Sequence, residues 1–257
     1  MKPQPSVTSL LCLSLFGAIP LAFALQAQAE KPATRPLDDW NYQPLYETGG
    51  IRATSLLEAQ AVGADGDPVG TVGTVENAIL DSENQIVTLI AEVGGMWDSG
   101  DRHVSIPWDE VALTREGVRV PVHQDNVEEY DLFDDAYVDD AYLFKGGTQR
   151  VTEVEGDVMT GPRIWKLTDL IDDFASLDRE TGLGYITDAL LTRNGVMQAI
   201  IVKSADPEWG PGPYAYPFYS HPDDWNPGAM HYELPYSRQD LRQLPPFDFA
   251  QYPSLWD

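Results

Sequence analysis

The feature that most constrains the fold is an internal repeat. Residues 72–80 read VGTVENAIL and residues 183–191 read LGYITDALL, so the second copy starts 111 residues after the first. Because further elements recur in the same order, the sequence predicts a duplicated unit. Chance similarity between short apolar strands is the alternative interpretation.

The repeat extends beyond this strand in both directions. If one residue is deleted from the following turn, Asn84 matches Asn194 and the apolar run 86–90 matches 196–200. Three further pairs are TSLL at 54–57 with TDLI at 168–171, VSIPW at 104–108 with YAYPF at 214–218, and VPV at 120–122 with LPY at 234–236.

The repeated segments are short, rich in β-branched residues and separated by clusters of Gly, Asp, Asn and Pro. This pattern is typical of strands in a small barrel or sandwich, and helical sequence is limited to short acidic pieces. Gly73 and Gly184 are predicted where a strand bends tightly. Pro107 and Pro217 cannot donate a backbone hydrogen bond, so we expect them on edge strands or beside bulges.

Four segments of the first unit form a recognisable set: TSLL at 54–57, the turn at 66–73, VENAILD at 75–81 and VSIPW at 104–108. Together they resemble the PRC-barrel family. The second unit keeps an acidic residue at Asp188 but starts differently. The resemblance implies a mainly β fold of two small PRC-barrel-like barrels in tandem, at 45–130 and 163–247, with few short helices. Units of this size are marginal alone, so we expect them to pack on each other with an approximate two-fold relation.

The first 29 residues have the pattern of a secretory signal peptide. Lys2 precedes an apolar run, and Ala27-Gln28-Ala29 provides the small residues that signal peptidase accepts. We therefore predict cleavage after Ala29, a linker at 30–44 and a periplasmic location. An uncleaved N-terminal anchor is the alternative.

The charge excludes several classes of partner. The chain carries 41 Asp and Glu against 16 Lys and Arg, a formal net charge of −25, which becomes −26 when Lys2 is removed with the signal peptide. Such a chain repels phosphate backbones and anionic lipid surfaces, so we expect neither nucleic acid nor direct anionic-lipid binding. The single cysteine, Cys12, lies in the signal peptide, so no disulfide framework is expected.

Between the two units lies an acidic linker at 131–162. Its carboxylates are interleaved with aromatic residues, which makes Tyr137, Asp139, Asp140 and Tyr142 candidate partner-binding residues. Carboxylates at this density could bind Ca²⁺, although the spacing of an EF-hand is missing. A solvated linker without metal is the favoured interpretation, so no cofactor is predicted.

The C-terminal part of the chain combines prolines with aromatic residues. Half of the 20 prolines lie after residue 206, together with the candidate binding residues Trp209, Tyr214, Tyr216 and Trp225. Such a segment can bind sugars or peptides, but large aromatic side chains more often serve a core, and packing is favoured over a ligand groove. Residues 248–257 are predicted as a tail.

The sequence contains none of the common catalytic motifs. A site formed by His221 and His231 with Asp223 and Asp224 is conceivable, but its spacing is unlike that of known metal ligands. We therefore predict a non-catalytic periplasmic protein, a monomer or weak dimer, that binds a protein partner there or at a membrane complex. The alternatives are a small-ligand or Ca²⁺-binding protein and a hydrolase with an unrecognised site.

Overall fold

The chain forms two β-sheets with a few short helices, which confirms the predicted mainly β architecture. A computed structural model describes residues 37–63, 71–81, 83–93, 102–123, 125–130, 165–177, 181–204, 210–219, 231–241 and 244–256. The predicted signal peptide and acidic linker lie outside these residues. No helix in the described ranges is long and apolar enough to cross a membrane.

The elements follow one another in two similar series. The first series is α1 (Gln43–Thr48), β1 (Ile51–Arg52), α2 (Ala53–Leu57), β2 (Gln60–Val62), β3 (Thr71–Leu80), β4 (Ile86–Val93), β5 (Arg102–Pro107), η1 (Trp108–Glu110), β6 (Ala112–Leu113), β7 (Val118–Arg119) and η2 (Val127–Glu129). The second is β8 (Trp165–Lys166), η3 (Leu167–Asp169), β9 (Phe174–Ser176), β10 (Gly182–Leu191), β11 (Met197–Ser204), β12 (Gly212–Pro217), β13 (His231–Glu233), α3 (Arg238–Leu241) and η4 (Phe249–Gln251).

Apart from β6, which extends the first sheet, both sheets have the same strand order. The first sheet runs β5-β4-β3-β2-β7-β6 and the second runs β12-β11-β10-β9-β13. In each, a long hairpin (β3–β4 or β10–β11) is antiparallel, and the last equivalent strand (β7 or β13) pairs in parallel with β2 or β9. Pro107 and Pro217 lie on the outermost strands β5 and β12, as predicted.

Two short strands are exchanged between the sheets. Strand β1 pairs with β10 of the second sheet, through Ile51 opposite Leu191, and β8 pairs with β3 of the first sheet, through Trp165 opposite Leu80. Because each half completes the sheet of the other, the two halves are related by an approximate two-fold axis. Strand β1 of the predicted unit 45–130 therefore belongs to the second sheet, and strand β8 of the predicted unit 163–247 belongs to the first.

The register corrects the sequence alignment in the hairpin turn. Leu80 pairs with Ile86, and Leu191 pairs with Met197, so Ile86 corresponds to Met197 and not to Val196. Asn84 then corresponds to Gly195, and both have positive φ angles, 64° and 84°. The predicted deletion in this turn is wrong, because matching Asn84 with Asn194 by residue type overlooked the backbone conformation. The change of offset falls after β4 and β11, before the edge strands.

Gly73 and Gly184 are required by the close approach of a neighbouring strand. A side chain at Gly73 would overlap the backbone carbonyl of Glu92, and one at Gly184 would overlap that of Lys203. The same steric restriction at both equivalent positions explains why glycine recurs in the two copies.

A single hydrophobic core joins the two sheets. It contains fully buried side chains from both halves, among them Leu80, Trp165 and Leu191 at the exchanged strands. A second cluster covers the outer face of the second sheet, where α1 and the segment 247–252 pack on β10, β11 and β12 through Tyr42, Leu45, Leu190, Ala199, Ile201, Ala215, Phe247 and Tyr252. Tyr42 from the predicted linker and Tyr252 from the predicted tail thus pack against the second sheet.

Candidate functional site

The two hairpin turns meet at the junction of the sheets. The Ile86 amide donates to the Gly195 carbonyl and the Met197 amide to the Asn84 carbonyl, both at 2.9 Å. Trp108, at the start of η1, lies against Gly195, and its Nε1 donates to the Asn194 carbonyl at 2.9 Å. A side chain at Gly195 would crowd the indole ring, so glycine here permits both the positive φ and the contact.

A groove of about 450 Å³ lies beside this junction. Half-buried apolar side chains form part of its lining, namely Trp108, Val111, Leu113 and Leu255. Exposed polar side chains form the rest, namely Gln85, Asp109, Arg193 and Asn194. This volume lies within the range of small-molecule sites, which combine an apolar lining with a few polar groups. We call it the junction groove.

A second candidate surface is a row of side chains across the outer face of the second sheet. His231 pairs with Phe174, Phe174 with Tyr185, and Tyr185 with Lys203. The rings of Phe174 and Tyr185 meet edge to face with centroids 5.4 Å apart, and Phe174 also contacts His231. Tyr185 is 55% exposed and is the most exposed large hydrophobic residue in the described ranges. We call these four residues the aromatic row.

The equivalent positions of the first sheet carry different chemistry. Gln60, Thr74 and Glu92 occupy the positions equivalent to Phe174, Tyr185 and Lys203, and the row of paired residues continues to His103 on β5. The aromatic row is therefore not a requirement of the fold, because the same strand pairing in the first sheet is made by polar side chains.

Glu76 joins this polar row as a cluster of metal-ligating groups. Donor atoms of Glu76, Glu92 and His103 lie within 4.8 Å of one another. Their donor atoms are close enough to share one divalent cation, but Glu76 and His103 are exposed, and such side chains are commonly hydrated without metal. We assign no metal to them.

Two buried polar contacts fix the exchanged segments. Asp188 accepts hydrogen bonds from Arg52 Nε at 2.7 Å, from Thr54 Oγ1 at 3.0 Å and from the Thr54 amide at 3.1 Å. At the equivalent place in the other half, Asn77 Nδ2 donates to Thr168 Oγ1 at 2.7 Å. The acidic residue kept in the second unit thus has a structural role, because it holds the segment that follows β1.

The residues selected from the sequence fall into two groups. Tyr214 and Tyr216 lie in the core, each 4% exposed, so they provide packing and not an exposed partner surface. Burial is the cause of the raised pKa of Tyr216. The other selected residues, Tyr137, Asp139, Asp140, Tyr142, Trp209 and Trp225, lie outside the described residues, and their binding role stays a prediction.

Of the conceivable site formed by His221, His231, Asp223 and Asp224, only His231 lies in the described ranges. His231 Nε2 is hydrogen-bonded to Ser176 Oγ at 2.7 Å, while His221, Asp223 and Asp224 lie outside the described residues. A serine next to a histidine can be a nucleophile, but Ser176 is only 1% exposed.

Sequence reasoning missed both candidate surfaces. Strict alternation in β10 places Tyr185 on the face opposite Ile186 but on the same face as Leu183, which is buried. The register shift between Gly182 and Gly184 breaks the alternation, so the sequence pattern did not reveal the exposure of Tyr185. No signal exists either for the junction groove, whose lining comes from four distant parts of the chain.

Comparison with known families identifies one match, at residues 49–127, to the PRC-barrel domain. The matched range contains most of the first sheet, together with β1, which the structure pairs with the second. No match is found among curated proteins.

Proposed function

We propose that this protein is an exported, non-catalytic interaction module made of two PRC-barrel-like units, and that a protein partner docks on the aromatic row. The observation that supports this proposal is that Tyr185 is 55% exposed, between Phe174 and Lys203 on the second sheet. The equivalent positions of the first sheet carry the polar residues Gln60, Thr74 and Glu92. Exposed aromatic side chains on a rigid sheet are typical anchors of protein interfaces.

The charge of the chain limits the nature of this partner. The net charge of −25 repels acidic surfaces at long range, whereas a basic or neutral apolar surface is tolerated. The Ser176–His231 contact does not favour a hydrolase, because the serine oxygen has almost no access to a substrate.

Photo-cross-linking in intact cells tests this function. A benzophenone amino acid at position 185 is expected to give a discrete adduct with one partner. The same probe at the exposed Glu58, outside the row, is the matched control. No adduct from position 185, or the same adducts from both positions, would contradict the proposal.

The export part of the proposal has its own test. Purified from its native cells, the protein is expected in the periplasmic fraction with Glu30 as its first residue. A chain that retains residues 1–29, measured by N-terminal sequencing and intact mass, would contradict cleavage after Ala29.

A further inference from the structure

The junction groove is lined by two opposite charges that do not form an ion pair with each other. Asp109 and Arg193 both line it, from η1 and from the β10–β11 turn respectively. In the described ranges neither side chain forms an ion pair, either with the other or with a further charged group. The exposed Arg115 likewise forms no ion pair in the described ranges, but Arg193 lines the groove and Arg115 does not.

Arg193 and Asp109 differ in what they recognise. The guanidinium presents a planar fork of N–H donors that matches a carboxylate, and the aspartate accepts hydrogen bonds from an ammonium group. A ligand that carries only a carboxylate meets the repulsion of Asp109 and of the acidic chain, and one that carries only an ammonium meets Arg193. A ligand with both groups satisfies both side chains.

The remaining lining indicates the body of such a ligand. Trp108, Val111, Leu113 and Leu255 supply half-buried apolar surface. The hydrogen bond from Trp108 to the Asn194 carbonyl holds the indole ring against the turn that carries Arg193, so the apolar lining lies beside the base of the charged side chain.

From these observations we propose that the junction groove binds a small zwitterion with an apolar body, such as an apolar amino acid. This site is separate from the aromatic row, and it does not depend on the proposed function.

Isothermal titration calorimetry with four probes tests the proposal on the full-length protein. Phenylalanine carries both charges and an apolar body, hydrocinnamate lacks the ammonium group, phenethylamine lacks the carboxylate, and glycine lacks the apolar body. We expect phenylalanine to bind at least about tenfold more tightly than each of the others, because each lost charged hydrogen bond or apolar contact costs about that factor. Equal binding of all probes, or no binding of phenylalanine at millimolar concentration, would overturn the proposal.

Variants locate the binding to the groove. Arg193→Gln and Asp109→Asn are each expected to weaken phenylalanine binding about tenfold. The exposed Arg115→Gln and Asp125→Asn, outside the lining, should leave it unchanged. Thermal unfolding checks that each variant is folded, and if Arg193→Gln is not, Arg193→Lys replaces it with an intermediate affinity expected. As a further control, Tyr185→Ser should bind phenylalanine normally, because Tyr185 lies outside the groove. Unchanged affinity in the groove variants would refute the site.

Discussion

At the scale of single residues, Asp188 is the clearest link between the halves. Its side chain is 2% exposed and receives hydrogen bonds from Arg52, which is 25% exposed, and from Thr54. An ion pair this far from solvent is costly to break from one side, since the remaining charge loses its partner. The equivalent pair in the other half, Asn77 with Thr168, is neutral and avoids this cost.

Asp188→Ala is therefore expected to lower the free energy of unfolding by about 3 kcal/mol. Asp188→Asn, which imitates Asn77 and keeps one acceptor, should lower it by roughly half as much. Urea unfolding measures both, with the exposed Glu58→Ala as the control, expected to change by less than about 0.5 kcal/mol. A loss in Asp188→Ala no larger than in the control would show that the contact is not stabilising.

Because Tyr42 and Tyr216 are buried, we expect the folded protein to lose stability at alkaline pH. Burial raises the pKa of both Tyr42 and Tyr216, although the hydrogen bond from the Ala215 amide lowers that of Tyr42 in part. A raised pKa means that the folded protein holds its phenolic protons when the unfolded chain, titrating near pH 10, has released them. The contribution of the two tyrosines to the free energy of unfolding is thus complete below about pH 10 and is lost as the pH rises further.

We expect the free energy of unfolding to fall steadily above about pH 10, and Tyr216→Phe to reduce the slope because one linked proton is removed. Tyr42→Phe should reduce the slope too, while costing about 1 kcal/mol at neutral pH because the Ala215 amide loses its acceptor. Urea titrations between pH 8 and pH 11.5 measure these slopes. The same slope in the wild type and both variants would contradict the assignment.

At the scale of elements, the hairpin turns show what a sequence comparison can and cannot supply. The strands were predictable from apolar runs bounded by glycine and asparagine. The repeat predicted that they recur in the same order along the chain in both units. The turn was not predictable, because matching Asn84 with the identical Asn194 hid the positive φ that Asn84 shares with Gly195. The exchange of β1 and β8 was equally hidden, since strands of two residues carry no periodicity.

The two turns are expected to differ in their tolerance of substitution. Gly195→Ala must strain a φ of 84° and also displace Trp108, so we expect a loss of about 2–3 kcal/mol. Asn84→Ala should cost only about 1 kcal/mol, because it introduces strain without that clash. Thermal and urea unfolding measure the difference, and equal losses would show that the indole contact is unimportant.

At the scale of the whole molecule, the exchanged strands make the halves interdependent. The candidate surfaces have the same origin: the junction groove exists only where the halves meet, so a sequence read one unit at a time does not reveal it. The aromatic row, in contrast, belongs to one sheet, but a register shift between Gly182 and Gly184 breaks the alternation of β10, so Leu183 is buried while Tyr185 is exposed.

Fragments 30–130 and 163–257 are therefore expected to be unfolded when produced separately and to form a folded complex when produced together. Each fragment lacks a strand that the other supplies, through Ile51 or Trp165. Cooperative thermal unfolding and NMR dispersion measure this, and a full-length chain cleaved within 131–162 is the control for loss of the linker. A fragment that unfolds cooperatively alone would contradict the prediction.

The pairing of Gly50 with Ser254 has a consequence for folding during synthesis. The Gly50 carbonyl accepts a hydrogen bond from the Leu255 amide at 3.1 Å, so chain made early is fixed by chain made late. At the usual 5–20 residues per second, the ribosome takes about 10–40 s to cover the distance between them. During that interval the early segment lacks its native neighbour, which gives any factor acting on the nascent chain time to bind it before folding closes the second sheet.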